Sequence, residues 1–124
     1  MSVRSVFSIA AVPTLALGAG WLLAPGFMLQ QWGITGDPAA AYMSRRCGCL
    51  FLGYSAILWF ARKADVSPAR DAIVTGAFVM TAVMAALSVL GVLGGTIGPM
   101  AWSAVVIEAL LAVAFGDLLF TRRR

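Results

Sequence analysis

The chain of 124 residues has no histidine, only two cysteines and a single glutamate among five acidic residues. Without imidazole, clustered carboxylates or a four-cysteine set, nothing offers side-chain ligands to zinc, iron or haem. Cys47 and Cys49 are separated by one residue. On a helix such a pair points about 200° apart, which forbids a local disulfide, and the spacing is not that of a thioredoxin-like Cys-x-x-Cys. They read as structural buried thiols. No nucleophile stands beside a base, no carboxylates pair for acid–base work, and no phosphate-cradling loop follows a strand. The cluster of Gly91, Gly94, Gly95 and Gly98 contains no lysine and reads as a tight turn, with Pro99 restarting a helix.

Charge is equally scarce. Only 11% of residues are charged, whereas 61% are hydrophobic and the mean hydropathy is +0.93. Soluble domains have about 25% charged and about 45–50% apolar residues, so a water-soluble globular reading is excluded. Four apolar stretches, residues 6–23, 40–61, 72–93 and 100–120, each approach the roughly 20 residues that a helix needs to cross hydrocarbon. The expected fold is all-α, one integral membrane four-helix bundle over residues 1–124, with no separate soluble domain. Arg4 followed by an apolar run and small residues near Ala19 also fits a signal peptide loosely. The segment is read here as a membrane helix bent at Pro13.

Lysine and arginine are absent from residues 24–39 and 94–98. Arg4, Arg62, Lys63, Arg70, Arg122, Arg123 and Arg124 share the other side of an alternating bundle, and the positive-inside bias therefore sets both termini in the cytoplasm. The net charge of +4 is a topological signal with some attraction to anionic headgroups and calls for no nucleic acid. Trp21, Trp32, Tyr42 and Trp102 fall at the non-cytoplasmic interface and Trp59 at the cytoplasmic one. Between the first two helices, Pro25 opens a segment in which Phe27, Met28 and Trp32 would face lipid and Gln30 and Gln31 water. A short interfacial helix and an apolar loop folded over the bundle are both compatible with it. Asp37 before Pro38 suits a helix cap, and Asp71 suits the positive end of the third helix. Asp117, near the end of the fourth, is expected to pair with Arg122 or another inner cation.

Against this background Glu108 stands out, in the middle of an apolar run. Ala104, Glu108, Ala112 and Gly116 recur every four residues, a small-residue stripe of the kind that lets helices approach in lipid. Ala10, Thr14 and Gly18, Ala16 and Gly20, and Ala77, Thr81 and Ala85 recur likewise. Glu108 lies roughly 13 Å in from Pro99, and Arg45 and Arg46 roughly 8–9 Å in from the same side on the second helix, within reach of a flexible side chain. Arg45 shares a face with Cys49 and Gly53, so it is the expected inward partner, with Arg46 snorkelling outward. Such a pair either fixes helix register or serves a proton or ligand.

Gly20, Trp21, Leu22, Leu23, Ala24, Pro25, Gly26 and Phe27, then Trp32 and Gly33, then Arg45, Arg46, Cys47 and Gly48 opening a helix that ends Leu58, Trp59, Phe60, Ala61 and Arg62, resemble the small four-helix bacterial membrane proteins called DoxX-like. The resemblance implies a four-helix bundle and, for some members, association with quinone-linked or thiol-related oxidoreductase systems. It carries over Arg45 or Arg46 as the arginine of the second helix and nothing catalytic.

The expected function is that of a non-enzymatic integral membrane subunit, accessory to or assembling with a larger membrane complex. The alternatives are a quinone-linked membrane component and a small proton-coupled transporter using Glu108. Small multidrug transporters carry their buried glutamate in the first helix, where this chain has no acidic residue. No cofactor is called for, and a quinone or a lipid is the ligand such an interior would take. Eight arginines to one lysine, with abundant alanine and glycine, point to a GC-rich bacterial genome and to the inner membrane.

Overall fold

The computed structural model describes residues 2–121, so Met1 and the expected placement of Arg122, Arg123 and Arg124 lie outside the described residues. Five α-helices follow in order: α1 (Val3–Leu23), α2 (Pro25–Gln31), α3 (Pro38–Ala61), α4 (Pro68–Leu93) and α5 (Trp102–Thr121), the last preceded by a 3₁₀ turn at Pro99–Ala101. Among the described residues there is no strand. Proline punctuates the chain. Pro25, Pro38, Pro68 and Pro99 each stand in the first turn of an element, where the missing N–H costs nothing and the fixed φ suits the helix. Side-chain caps complete three starts: Ser2 accepts from Ser5 N, Asp37 from Ala40 N at 2.7 Å and Ser67 from Arg70 N. Helix α4 thereby begins at Pro68, four residues ahead of its apolar run, because the cap and not hydropathy sets its start.

Three helical segments are long and apolar enough to cross a membrane: Val3–Leu23, Pro68–Leu93 and Pro99–Thr121. They mark the chain as a membrane protein. The fourth expected span, α3, has 24 residues and the length to match, but Arg45 and Arg46 stand within it, and an arginine near a helix centre costs about 2.5–3.5 kcal/mol on insertion.

The helices associate as two pairs, α1 with α3 and α4 with α5, which touch chiefly through α1 and α5. In the first pair the backbones come close. A Cβ built on Gly48 would stand 2.7 Å from Leu22 N and 2.8 Å from Gly18 O, and one on Gly18 would stand 2.9 Å from Leu52 N. The expected stripe Ala10, Thr14 and Gly18 is buried. Ser55 ties the pair together by donating its hydroxyl to Ala11 O at 2.7 Å. Gly48 thus faces α1, and this turns the rest of α3. Gly53 is exposed with nothing within 4 Å of its Cβ position, so Gly48 is the packing glycine of α3. Cys47 and Cys49 flank Gly48 on either side and are both exposed and free rather than buried.

Where the two pairs meet, Val3, Val6, Phe7 and Ala10 of α1, Leu58 of α3, Val74 and Ala77 of α4, and Phe115 and Leu118 of α5 form one core. The Phe7 and Phe115 rings lie 6.1 Å apart. This core sits at the end of the bundle where α1 starts and α5 stops, and the same end carries Arg4, Arg62, Lys63 and Arg70. We call it the basic end.

The far end is built from helix terminations. Gly33 and Gly95 have φ near +70°, and each closes a Schellman motif: Ile34 N bonds Leu29 O with Gly33 N on Gln30 O, and Thr96 N bonds Gly91 O with Gly95 N on Val92 O. The two terminations are joined by Gly98 N donating to Trp32 O at 2.7 Å. Of the two expectations for residues 25–33, the short helix is the one found, although Met28 and Trp32 turn inward. The Met28 sulfur packs on Gly20, and Trp32 meets Trp21 edge to face at 5.9 Å. Phe27 is left exposed, as are Gln30 and Gln31.

Backbone atoms cannot yield to a methyl group at Gly48, so Gly48→Ala is expected to lower unfolding stability in mild detergent by about 1–3 kcal/mol. Gly53→Ala, with open space around it, is expected to be neutral or slightly stabilising through helix propensity, both measured by circular dichroism on heating.

Candidate functional site

Glu108 lies in the seam between α4 and α5. Its carboxylate accepts a hydrogen bond from the Ser88 hydroxyl, O to Oε2 3.1 Å. Ser88 is buried and Glu108 half-buried. The seam has its expected small residues: Ala104 and Ala112 are half-buried and Gly116 is buried, where a methyl would stand 3.3 Å from the Phe78 ring. The stripe on α5 therefore faces α4, and it turns Glu108 toward Ser88 with it.

Arg45 and Arg46 do not share this site. Both are exposed on α3, and α3 packs against α1, not α5. The inward face of α3 runs through Ser44, Gly48, Ser55 and Leu58, all buried. Arg46 lies two residues from Gly48, about 200° around the helix, and Arg45 stands on the flank that continues to Cys49 and Gly53. Among the described residues Glu108 has no cation within ion-pair distance, and its one polar partner there is the serine. A carboxylate so placed, with one neutral donor, can hold a proton or receive a cation or a hydrogen-bond donor from outside the chain.

Several buried polar groups escaped the sequence reading, Ser88 and Arg70 among them. Ser88 continues the row Arg70, Val74, Ala77 and Thr81, the buried face of α4, and that spacing was its signal. Arg70, assigned to the connection by the sequence, is only 6% exposed. Its Nη1 donates to Ala64 O at 3.3 Å, while Nε and Nη2 are buried without partners, as is the Tyr54 hydroxyl. The Ser67–Pro68 helix start places Arg70 on the helix, four residues before Val74. Asp71 occupies the first turn of α4 as expected. Asp117 is exposed and accepts from the Thr121 hydroxyl, whereas Arg122 lies outside the described residues.

If Ser88 alone satisfies Glu108, Ser88→Ala should cost about 0.5–1.5 kcal/mol of stability in detergent, whereas Glu108→Gln, which keeps an acceptor, should cost less. Arg45→Gln should leave thermal unfolding unchanged. A loss on Arg45→Gln equal to that on Ser88→Ala would instead mean that the arginine reaches the carboxylate.

Comparisons of this chain with family models, with curated proteins and with solved structures return no match.

Proposed function

We propose that this chain is a non-enzymatic, four-span membrane protein of the bacterial inner membrane that packs against other membrane-protein subunits, with Glu108 as an assembly residue. The observation that carries the reading is the half-buried Glu108 carboxylate, held on its own chain by one neutral serine. Charged groups in hydrocarbon are costly, and they are normally found paired or facing a bundle interior. A donor or cation from a neighbouring subunit would complete the shell that Ser88 begins. Around it α5 offers Val106, Ile107, Leu110 and Val113, all exposed, an apolar surface suited to lipid or to another transmembrane helix.

Four spans are favoured because α3 has 24 residues and packs along α1 from the Gly18–Gly48 contact to Leu58 in the core. Arg45 and Arg46 then lie about 10–12 Å from the start of α3 at Pro38, within snorkelling reach of the interface. The gathering of Arg4, Arg62, Lys63 and Arg70 at one end favours a cytoplasmic location for that end and for both termini. The resemblance to DoxX-like proteins belongs to the same proposal and rests on the residues quoted for it.

Mild-detergent extraction, size separation and mass spectrometry should find this chain migrating with a larger membrane complex, and Glu108→Leu should reduce that association. Migration of the wild type alone as a small oligomer would move the reading to a proton-coupled transporter or quinone-site protein. Topology is checked with single cysteines in a Cys47→Ser, Cys49→Ser background. Thr96→Cys should react with an impermeant maleimide in intact cells, and Lys63→Cys only after lysis.

A further inference from the structure

Between α1 and α3, adjoining the core at Ala11, runs an apolar groove of about 290 Å³, walled by Ala11, Val12 and Leu15 on one helix and Leu52, Ser55, Ala56 and Trp59 on the other. It forms because the helices touch closely at Gly18 and Gly48 and again at the core, while Ala11 and Ala56 leave little side chain between those contacts. Measured along α3, Trp59 is about 3 Å from the last helical residue and Leu52 about 14 Å. Along α1, Ala11 is about 12 Å and Leu15 about 18 Å from the first. The groove therefore runs from the basic end inward by about half of the roughly 30 Å hydrocarbon thickness, the depth of one leaflet.

The one hydroxyl in its lining is already used. The Ser55 hydroxyl donates to Ala11 O at 2.7 Å, so the interior of the groove offers no free side-chain hydroxyl to a quinone carbonyl. The mouth differs. The Arg62 guanidinium lies over the Trp59 ring, 3.7 Å from its centroid, and donates to Trp59 O. Lys63 follows and is exposed. On the other wall Arg4, Ser8, Ala11 and Leu15 succeed one another at spacings of four, three and four, one face of α1, and Arg4 is exposed. The α3 wall of this apolar, leaflet-deep groove thus ends in cationic side chains, beside a tryptophan of the kind that settles at headgroup level, and on α1 Arg4 stands about 10 Å beyond Ala11 toward the same end.

We propose that this groove seats an acyl chain of one anionic phospholipid, with its phosphate against Arg62, Lys63 and Arg4. The charge at the mouth selects an anionic headgroup over a zwitterionic one, and a lining of aliphatic side chains with its one hydroxyl already bonded selects an acyl chain over a polar ring. A tightly held lipid here would fill the space between α1 and α3 that their own side chains leave open.

The test uses a variant in which Trp59 is the sole tryptophan (Trp21→Phe, Trp32→Phe, Trp102→Phe), in phosphatidylcholine vesicles doped with phosphatidylglycerol brominated on its acyl chains. Each cation near the headgroup favours the anionic lipid, so Trp59 fluorescence should report a preference of roughly fivefold or more for brominated phosphatidylglycerol over equally brominated phosphatidylcholine. Arg62→Gln with Lys63→Gln should bring that preference close to parity, and Ala56→Phe, at an exposed position, should weaken quenching by the anionic lipid by filling the groove. Equal quenching by the two lipids overturns the proposal. Should the triple variant fail to fold, native mass spectrometry of the wild type decides: retention of one phosphatidylglycerol per chain supports the site, and equal retention of either lipid or of none overturns it.

Discussion

In hydrocarbon, helices gain nothing from hiding apolar side chains from each other, because the surrounding lipid is as apolar as they are. Association then depends on how closely two backbones can come. In this chain that contact is the meeting of Gly18 with Gly48. Much else follows from it. Facing Gly48 toward α1 fixes the rotation of α3, which sends Ser55 to the Ala11 carbonyl and Leu58 into the core. The same rotation turns Arg45, Arg46, Cys47 and Cys49 outward. Packing through Gly53 instead, five residues on and about 140° around the helix, would bring the flank of Arg45 and Cys49 inward in their place.

That rotation is also where sequence reading met its limit. The all-helical architecture and the cap at Asp37 before Pro38 are local: each depends on hydropathy or on residues within one turn and could be read directly, whereas for the segment after Pro25 the sequence left a short helix and an apolar loop both open. Burial of Ala10, Thr14 and Gly18 followed from spacing alone. Helix α3 offered two competing small faces, one through Cys49 and Gly53 and one through Ser44, Gly48 and Ser55. Only the partner helix decides between them, since a free backbone approach at Gly48 has no signature in the chain of α3 itself. Pairing Arg45 with Glu108 by depth used the one coordinate that sequence supplies and lacked the other, the angle around the axis. Glu108 was legible as the singular residue of the chain. Its neighbour Ser88 was legible only through the buried row of α4, which becomes visible once Pro68 is recognised as the helix start.

The polar groups of the interior divide by position. Thr14 and Thr81 return their hydroxyls to carbonyls of their own helices, so they impose little on any partner. Ser55 and Ser88 reach across to another helix and fix each pair in register. Arg70 does neither completely, with one nitrogen bonded to Ala64 O and two left without a partner beside the core. An arginine held in this way at the basic end keeps a positive charge inside the protein envelope, where salt screens it far less than the exposed Arg4 or Lys63.

The single bond from Gly98 N to Trp32 O has a mechanical consequence. The two helix pairs are joined by the aromatic core at one end and by this link between two glycine-terminated turns at the other. A frame pinned at both ends cannot open like a jaw. Its two pins leave mid-span as the stretch farthest from either, close to the depth at which α5 carries its only carboxyl group before Asp117.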